Sequence, residues 1–82
     1  MNINKQEFIF LTESITSDII QLLIDREHYT LPEAVSEVYD SATYRVLLQP
    51  TSGFYFQSSG YVFEYLRKEL ANGKNYNTTH IL

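Results

Sequence analysis

Two histidines and ten carboxylates are the residues in this 82-residue chain that could hold a metal ion or move protons near neutral pH. Neither imidazole is spaced for such work. His28 sits beside Asp25 and Glu27, and His80 lies near the end of the chain. No second nitrogen ligand stands one helical turn from either, and no HExxH or Cys/His pattern occurs. Cysteine is absent, which removes disulfides and thiolate metal sites. His28 therefore reads as a solvated loop residue, and no metal site is expected. Ser58-Ser59-Gly60 opens an apolar-periodic segment, where a helix N-terminus could hold an anion, although the same serines serve equally as caps. Gly53, Gly60 and Gly73 complete neither a Walker loop nor GxGxxG, and there is no GxSxG elbow. A chain this short has little room to enclose a dry ligand pocket. The expectation is a protein that is not an enzyme and carries no cofactor.

Charge limits the partners next. Residues 1–40 hold eight acids against Lys5 and Arg26, whereas residues 41–82 hold Glu64 and Glu69 against Arg45, Arg67, Lys68 and Lys74. The overall charge of −4 is thus an acidic first half and a faintly basic second half. Duplex DNA and anionic membranes repel such a first half. Segments 31–39 and 41–48 have the spacing of a helix-turn-helix, but the second offers a groove only Arg45 and Gln49. DNA binding over residues 31–49 is the alternative to a protein partner. Solvated helix faces explain the acid, and so does self-association of acid against base.

The stretch PTSGFYFQSSGYVFEY, residues 50–65, carries six aromatic rings. Stacking on single-stranded bases would need a cationic lining, and only Arg67 and Lys68 are near. Phe54, Phe56 and Phe63 read as core. Tyr55 should point away from its two phenylalanine neighbours, with Tyr61 and Tyr65 near the edge of the last helix. Rings with a polar tip suit interfaces, so Tyr55, Tyr61 and Tyr65 form the candidate protein interface.

These side chains must be positioned by a small set of elements. Asn4 and Glu7 form a capping box before the periodic series Phe8, Leu11, Ile15, Ile19, Leu22, predicting a long helix over about residues 5–26. Thr30 and Glu33 form a second box, with Pro32 in the first turn of a helix reaching Tyr39. Residues 43–48 are ambiguous between helix and strand. Pro50-Thr51-Ser52-Gly53 reads as a turn and residues 54–57 as a short extended piece. Ser58 or Ser59 caps a last helix along Val62, Leu66 and Leu70, joined by Phe63 and stopped at Gly73. The fold expected is all-α: about four helices around one core in residues 1–73, then a loose tail over 74–82. The alternative is α+β, with residues 43–48 and 54–57 as a hairpin.

No stretch is long enough to span a bilayer, and the start MNINKQEF lacks the marks of a signal peptide, so a cytoplasmic protein is expected. Asn77-Thr78-Thr79 matches a glycosylation sequon without an export signal to support it.

The series Ser41-Ala42-Thr43-Tyr44, Leu47, Pro50, Gly53, Tyr55, Gln57-Ser58, Tyr61-Val62, Leu66 and Glu69-Leu70 resembles a group of short, uncharacterised bacterial proteins, a domain-of-unknown-function family often from gut anaerobes. The likeness covers roughly residues 7–70. It implies small helical proteins without assigned catalytic residues, some of them encoded beside toxin-like genes. The functional expectation is a non-enzymatic protein–protein interaction module, with antitoxin-like neutralisation and self-association as two versions of it. A small anion or ligand binder at Ser58–Gly60 is a further alternative.

Overall fold

In the computed structural model residues 3–73 are described; the tail, the sequon at Asn77 and His80 lie outside the described residues. The first helix, α1, runs Lys5–Glu27. The Asn4 side chain accepts from the Glu7 amide at 2.8 Å, while Glu7 Oε1 accepts from the Asn4 amide at 3.4 Å. Its end is set by His28, which adopts the left-handed conformation at φ 62°. That lets the Tyr29 amide reach back to the Leu23 carbonyl at 3.2 Å. His28 is thus a helix-terminating residue.

α2, Leu31–Tyr39, begins on the second predicted box: Glu33 Oε1 accepts from the Thr30 amide at 2.9 Å, and Thr30 Oγ1 accepts from the Glu33 amide at 3.3 Å. These bonds, backbone first and then side chain, hold the Glu33 carboxyl below its ordinary range. A depressed folded-state pKa means the box stabilises fully above the unfolded carboxylate pKa and fades as pH falls through the folded one. Glu33→Gln keeps the box but cannot titrate, so it should flatten the acid side of the thermal-stability profile, as measured by circular dichroism.

Asp40 and Ser41 turn the chain into α3, Ala42–Leu47. A helix of six residues cannot stand alone, and its orphan amides need partners. Buried Ser41 accepts from the Tyr44 amide at 3.0 Å and donates to the Val38 carbonyl at 2.7 Å. The other two amides of the first turn are served from α4, Ser59–Ala71. Glu69 accepts from the Ala42 amide at 2.8 Å, the Thr43 amide at 3.0 Å and the Thr43 hydroxyl at 2.8 Å. The carboxylate also suits the positive end of the helix. Hydrogen bonds to a half-buried carboxylate are strong, so Glu69→Ala should cost about 2 kcal/mol in urea unfolding. Glu69→Gln, with one acceptor oxygen instead of two, should recover only part of that.

Between α3 and α4 lie two 3-10 turns, Pro50–Ser52 and Phe54–Phe56. No strand occurs among the described residues, and the hairpin alternative over 43–48 and 54–57 does not form. The caps from Ser41 and Glu69 commit residues 42–47 to helix. Gly53, at φ 74°, closes the predicted turn, and the Gln57 amide then bonds the Phe54 carbonyl at 3.1 Å. That i→i+3 bond coils a segment expected to be extended.

The core joins Ile15, Ile19 and Leu23 of α1 with Ala34 and Val38 of α2, Leu47 of α3, and Val62, Phe63 and Leu66 of α4. The buried line of α1 is rotated from the expected one. Thr12 and Thr16 are buried, while Leu11 and Leu22 are only partly covered. Threonine tolerates this because its hydroxyl returns to its own helix: Thr12 to the Phe8 carbonyl at 2.9 Å, Thr16 to the Thr12 carbonyl at 2.6 Å.

Candidate protein-interaction surface

The rotation of α1 leaves apolar residues without a partner. α1 forms one wall of a groove, α2 and α3 form the other, and Thr12 and Thr16 lie between. The groove holds about 600 Å³ and runs along α1 from Phe8 to Gln21, a length of about 20 Å at helical rise. Ile9 and Ile20 contribute from α1, Leu31, Val35 and Tyr39 from α2, Tyr44 from α3 and Leu48 from its C-cap. Leu31 is 59% exposed, and Ile9, Val35, Tyr39 and Leu48 are exposed with it. Glu13 is the sole charged residue among those lining the groove.

Local sequence explains the shape. In α2, Leu31, Val35 and Tyr39 recur every fourth residue, while Ala34 and Val38 are spent on the core. A nine-residue helix therefore carries two apolar stripes and buries one. At the far end Tyr39 and Tyr44 meet edge to face, ring centres 4.9 Å apart at 71°. Burial first, then Tyr39 and Glu13, push the Tyr44 hydroxyl above its ordinary pKa, so it remains a neutral hydrogen-bonding group.

The three tyrosines expected to form an interface separate. Tyr61 and Tyr65 are 43% and 47% exposed on successive turns of α4, ring centres 5.4 Å apart. Half-buried Phe54 packs against both, at 5.9 and 5.1 Å. A hydrogen bond with Tyr65 is the main cause that raises the pKa of the Tyr61 hydroxyl. Tyr55 does not join them. It is 4% exposed and wedged between Phe8, at 5.3 Å, and Phe56, at 5.0 Å. The expected outward Tyr55 is corrected by the 3-10 coil, which turns the tyrosine inward and leaves Phe56 exposed, contrary to its expected place in the core. In an extended segment the alternation would have been reversed.

The remaining candidates gain little from the geometry. Ser58 caps α4 by accepting from the Tyr61 amide at 3.1 Å. Ser59 donates to Asp18 at 2.6 Å, which sets a carboxylate of the chain beside the helix N-terminus where an external anion would bind. α2 and α3 do form a helix pair, but α3 has only Arg45 as a cation and buries Thr43 and Leu47. Among the described residues no cluster of three or more His, Cys, Asp or Glu side chains could hold a metal ion. None of the described helices is long and apolar enough to cross a membrane. Compared with known proteins, the chain matches no family model, no curated relative and no solved structure.

Neither the groove nor the stripe of Leu31, Val35 and Tyr39 is singled out by the sequence, in which these residues share a short apolar helix with Ala34 and Val38. The surplus of apolar residues in so short a helix was the available signal.

Proposed function

We propose that the protein is a non-enzymatic interaction module that docks a protein partner in the α1/α2/α3 groove. The observation that carries this reading is the contiguity of exposed Ile9, Leu31, Val35, Tyr39 and Leu48 around one trough. Contiguous exposed apolar surface on a small protein costs solubility and marks a contact site. A trough of about 20 Å between helices suits a partner helix of three to four turns, the helix-in-groove mode. If the resemblance to bacterial proteins encoded beside toxin-like genes holds, the docked protein is one that this chain neutralises.

The test is affinity capture from the source cell with the wild-type protein and with Leu31→Ser/Val35→Ser. Both positions are exposed, so folding should change by no more than about 0.5 kcal/mol per site. A stoichiometric protein retained by the wild type and lost with the double variant supports the reading; equal retention by both refutes it. Self-association through the Tyr61–Tyr65 edge is the second reading, favoured by the exposure of both rings. Light scattering of wild type and Tyr65→Ala decides it: a dimer lost in the variant supports that use of the edge.

A further inference from the structure

We propose that Asn72-Gly73 is a spontaneous deamidation site, gated by the C-terminal cap of α4, and that the carboxylate it yields loosens the hold of Glu69 on α3. The inference concerns how α3 is anchored and holds whatever the groove binds. Asparagine loses its side-chain amide most readily where glycine follows, because no side chain shields the attacking backbone nitrogen. Asn72 is the one asparagine of the chain so placed: Asn2, Asn4, Asn75 and Asn77 precede Ile3, Lys5, Tyr76 and Thr78. It is exposed, so water and hydroxide reach it. The Gly73 nitrogen gives up its proton and attacks the side-chain carbonyl carbon of Asn72, forming a C–N bond and a five-membered imide while ammonia leaves. Water then adds to either imide carbonyl and opens the ring to aspartate or isoaspartate. The sum is one water consumed and one ammonia released, with no redox change.

The cap restrains this reaction. The Gly73 amide donates to the Leu70 carbonyl at 3.1 Å, and the Asn72 amide to the Lys68 carbonyl at 3.1 Å. Asn72 is thereby held at ψ −2°. Imide closure requires another ψ, with the Gly73 nitrogen swung toward the side chain and released from its acceptor. Attack therefore waits for the last turn of α4 to fray, a local opening that costs less than global unfolding. The product then acts on that same turn. A carboxylate at the C-terminal end opposes the helix dipole. Isoaspartate also routes the chain through the side-chain carbon, which moves the Gly73 amide away from Leu70. Glu69 belongs to this turn, and Asn72 lines one cavity with Glu69, Ala42 and Thr43. The new charge thus stands three residues from the carboxylate that receives the Ala42 and Thr43 amides. Lys68, in the same cavity, offsets part of the repulsion but neither the dipole term nor the lost cap bond.

The test incubates the full-length protein at mildly alkaline pH and follows every asparagine by peptide mass spectrometry, with isoaspartate-specific methylation to separate the two products. Conversion at Asn72 should be the fastest in the chain. It should rise about fivefold when the chain is unfolded in urea, the factor set by the small cost of fraying one terminal turn. In native-state hydrogen exchange, Asn72→Asp should release the Ala42 and Thr43 amides about threefold faster than wild type. In a Glu69→Ala background those amides have no Glu69 acceptor to lose, and the same substitution should leave them unchanged. Conversion at Asn72 no faster than at the other asparagines overturns the site. Equal rates in the folded and unfolded chain overturn the gate. Wild-type exchange of Ala42 and Thr43 in Asn72→Asp, or an effect that persists without Glu69, overturns the link to α3.

Discussion

Tyr55→Ala is expected to lower unfolding stability by about 3 kcal/mol, the cost of emptying a buried aromatic site. The ring is almost wholly covered and sits between Phe8 of α1 and Phe56 of its own turn. It is therefore the peg that fixes the second 3-10 turn to the long helix. Truncation would release the turn as well as open a cavity, so denaturant slopes should be inspected alongside midpoints. A surface tyrosine would behave otherwise, changing stability by no more than about 0.5 kcal/mol. A shift that small in urea unfolding would return Tyr55 to the exposed role that alternation along an extended strand assigns it.

Phe63→Ala should be more damaging, at about 4 kcal/mol. Phe63 is the largest fully buried side chain and belongs to the cluster that joins α4 to α1, α2 and α3. For a chain of this length total stability is on the order of 4–12 kcal/mol, so this single truncation approaches the lower bound. The variant should be substantially unfolded at body temperature and show a collapsed near-ultraviolet signal. Phe63→Leu should recover more than half of the loss, because it restores most of the volume. Leu66→Ala, in the same stripe one turn on, should fall at about 3 kcal/mol. Near-wild-type melting of Phe63→Ala would mean that α4 does not pack through this face.

The helices were legible because their determinants are local. Asn4 with Glu7 and Thr30 with Glu33 announce their helices within four residues, and the structure forms both boxes. The stripe of Val62, Phe63 and Leu66 was equally plain and is buried. What could not be read is what depends on a period other than the helical one or on distant partners. Phe54-Tyr55-Phe56 alternates like a strand, yet at three residues per turn Tyr55 faces inward and Phe56 outward, while Phe54 stays half-buried against the core. The ambiguity over residues 43–48 was settled by Glu69, 26 and 27 residues away from the amides it receives. The groove is not legible in the sequence, because periodicity shows that residues share a face but not whether a neighbour covers it. Thr12 and Thr16 looked polar, and only their bonds back to the helix make them buried.

Glu69 also sets an order of events when the chain is made. α3 has six residues, and two of its leading amides have no local acceptor until Glu69 arrives. While a ribosome is still synthesising the chain, α1 and α2 can cap themselves as soon as they emerge, whereas the 42–47 segment must wait for residue 69 to clear the exit tunnel. During that interval the apolar faces of α1 and α2 are uncovered, and the groove has only part of its second wall. Completion of the groove therefore comes last, set by one carboxylate near the far end of α4.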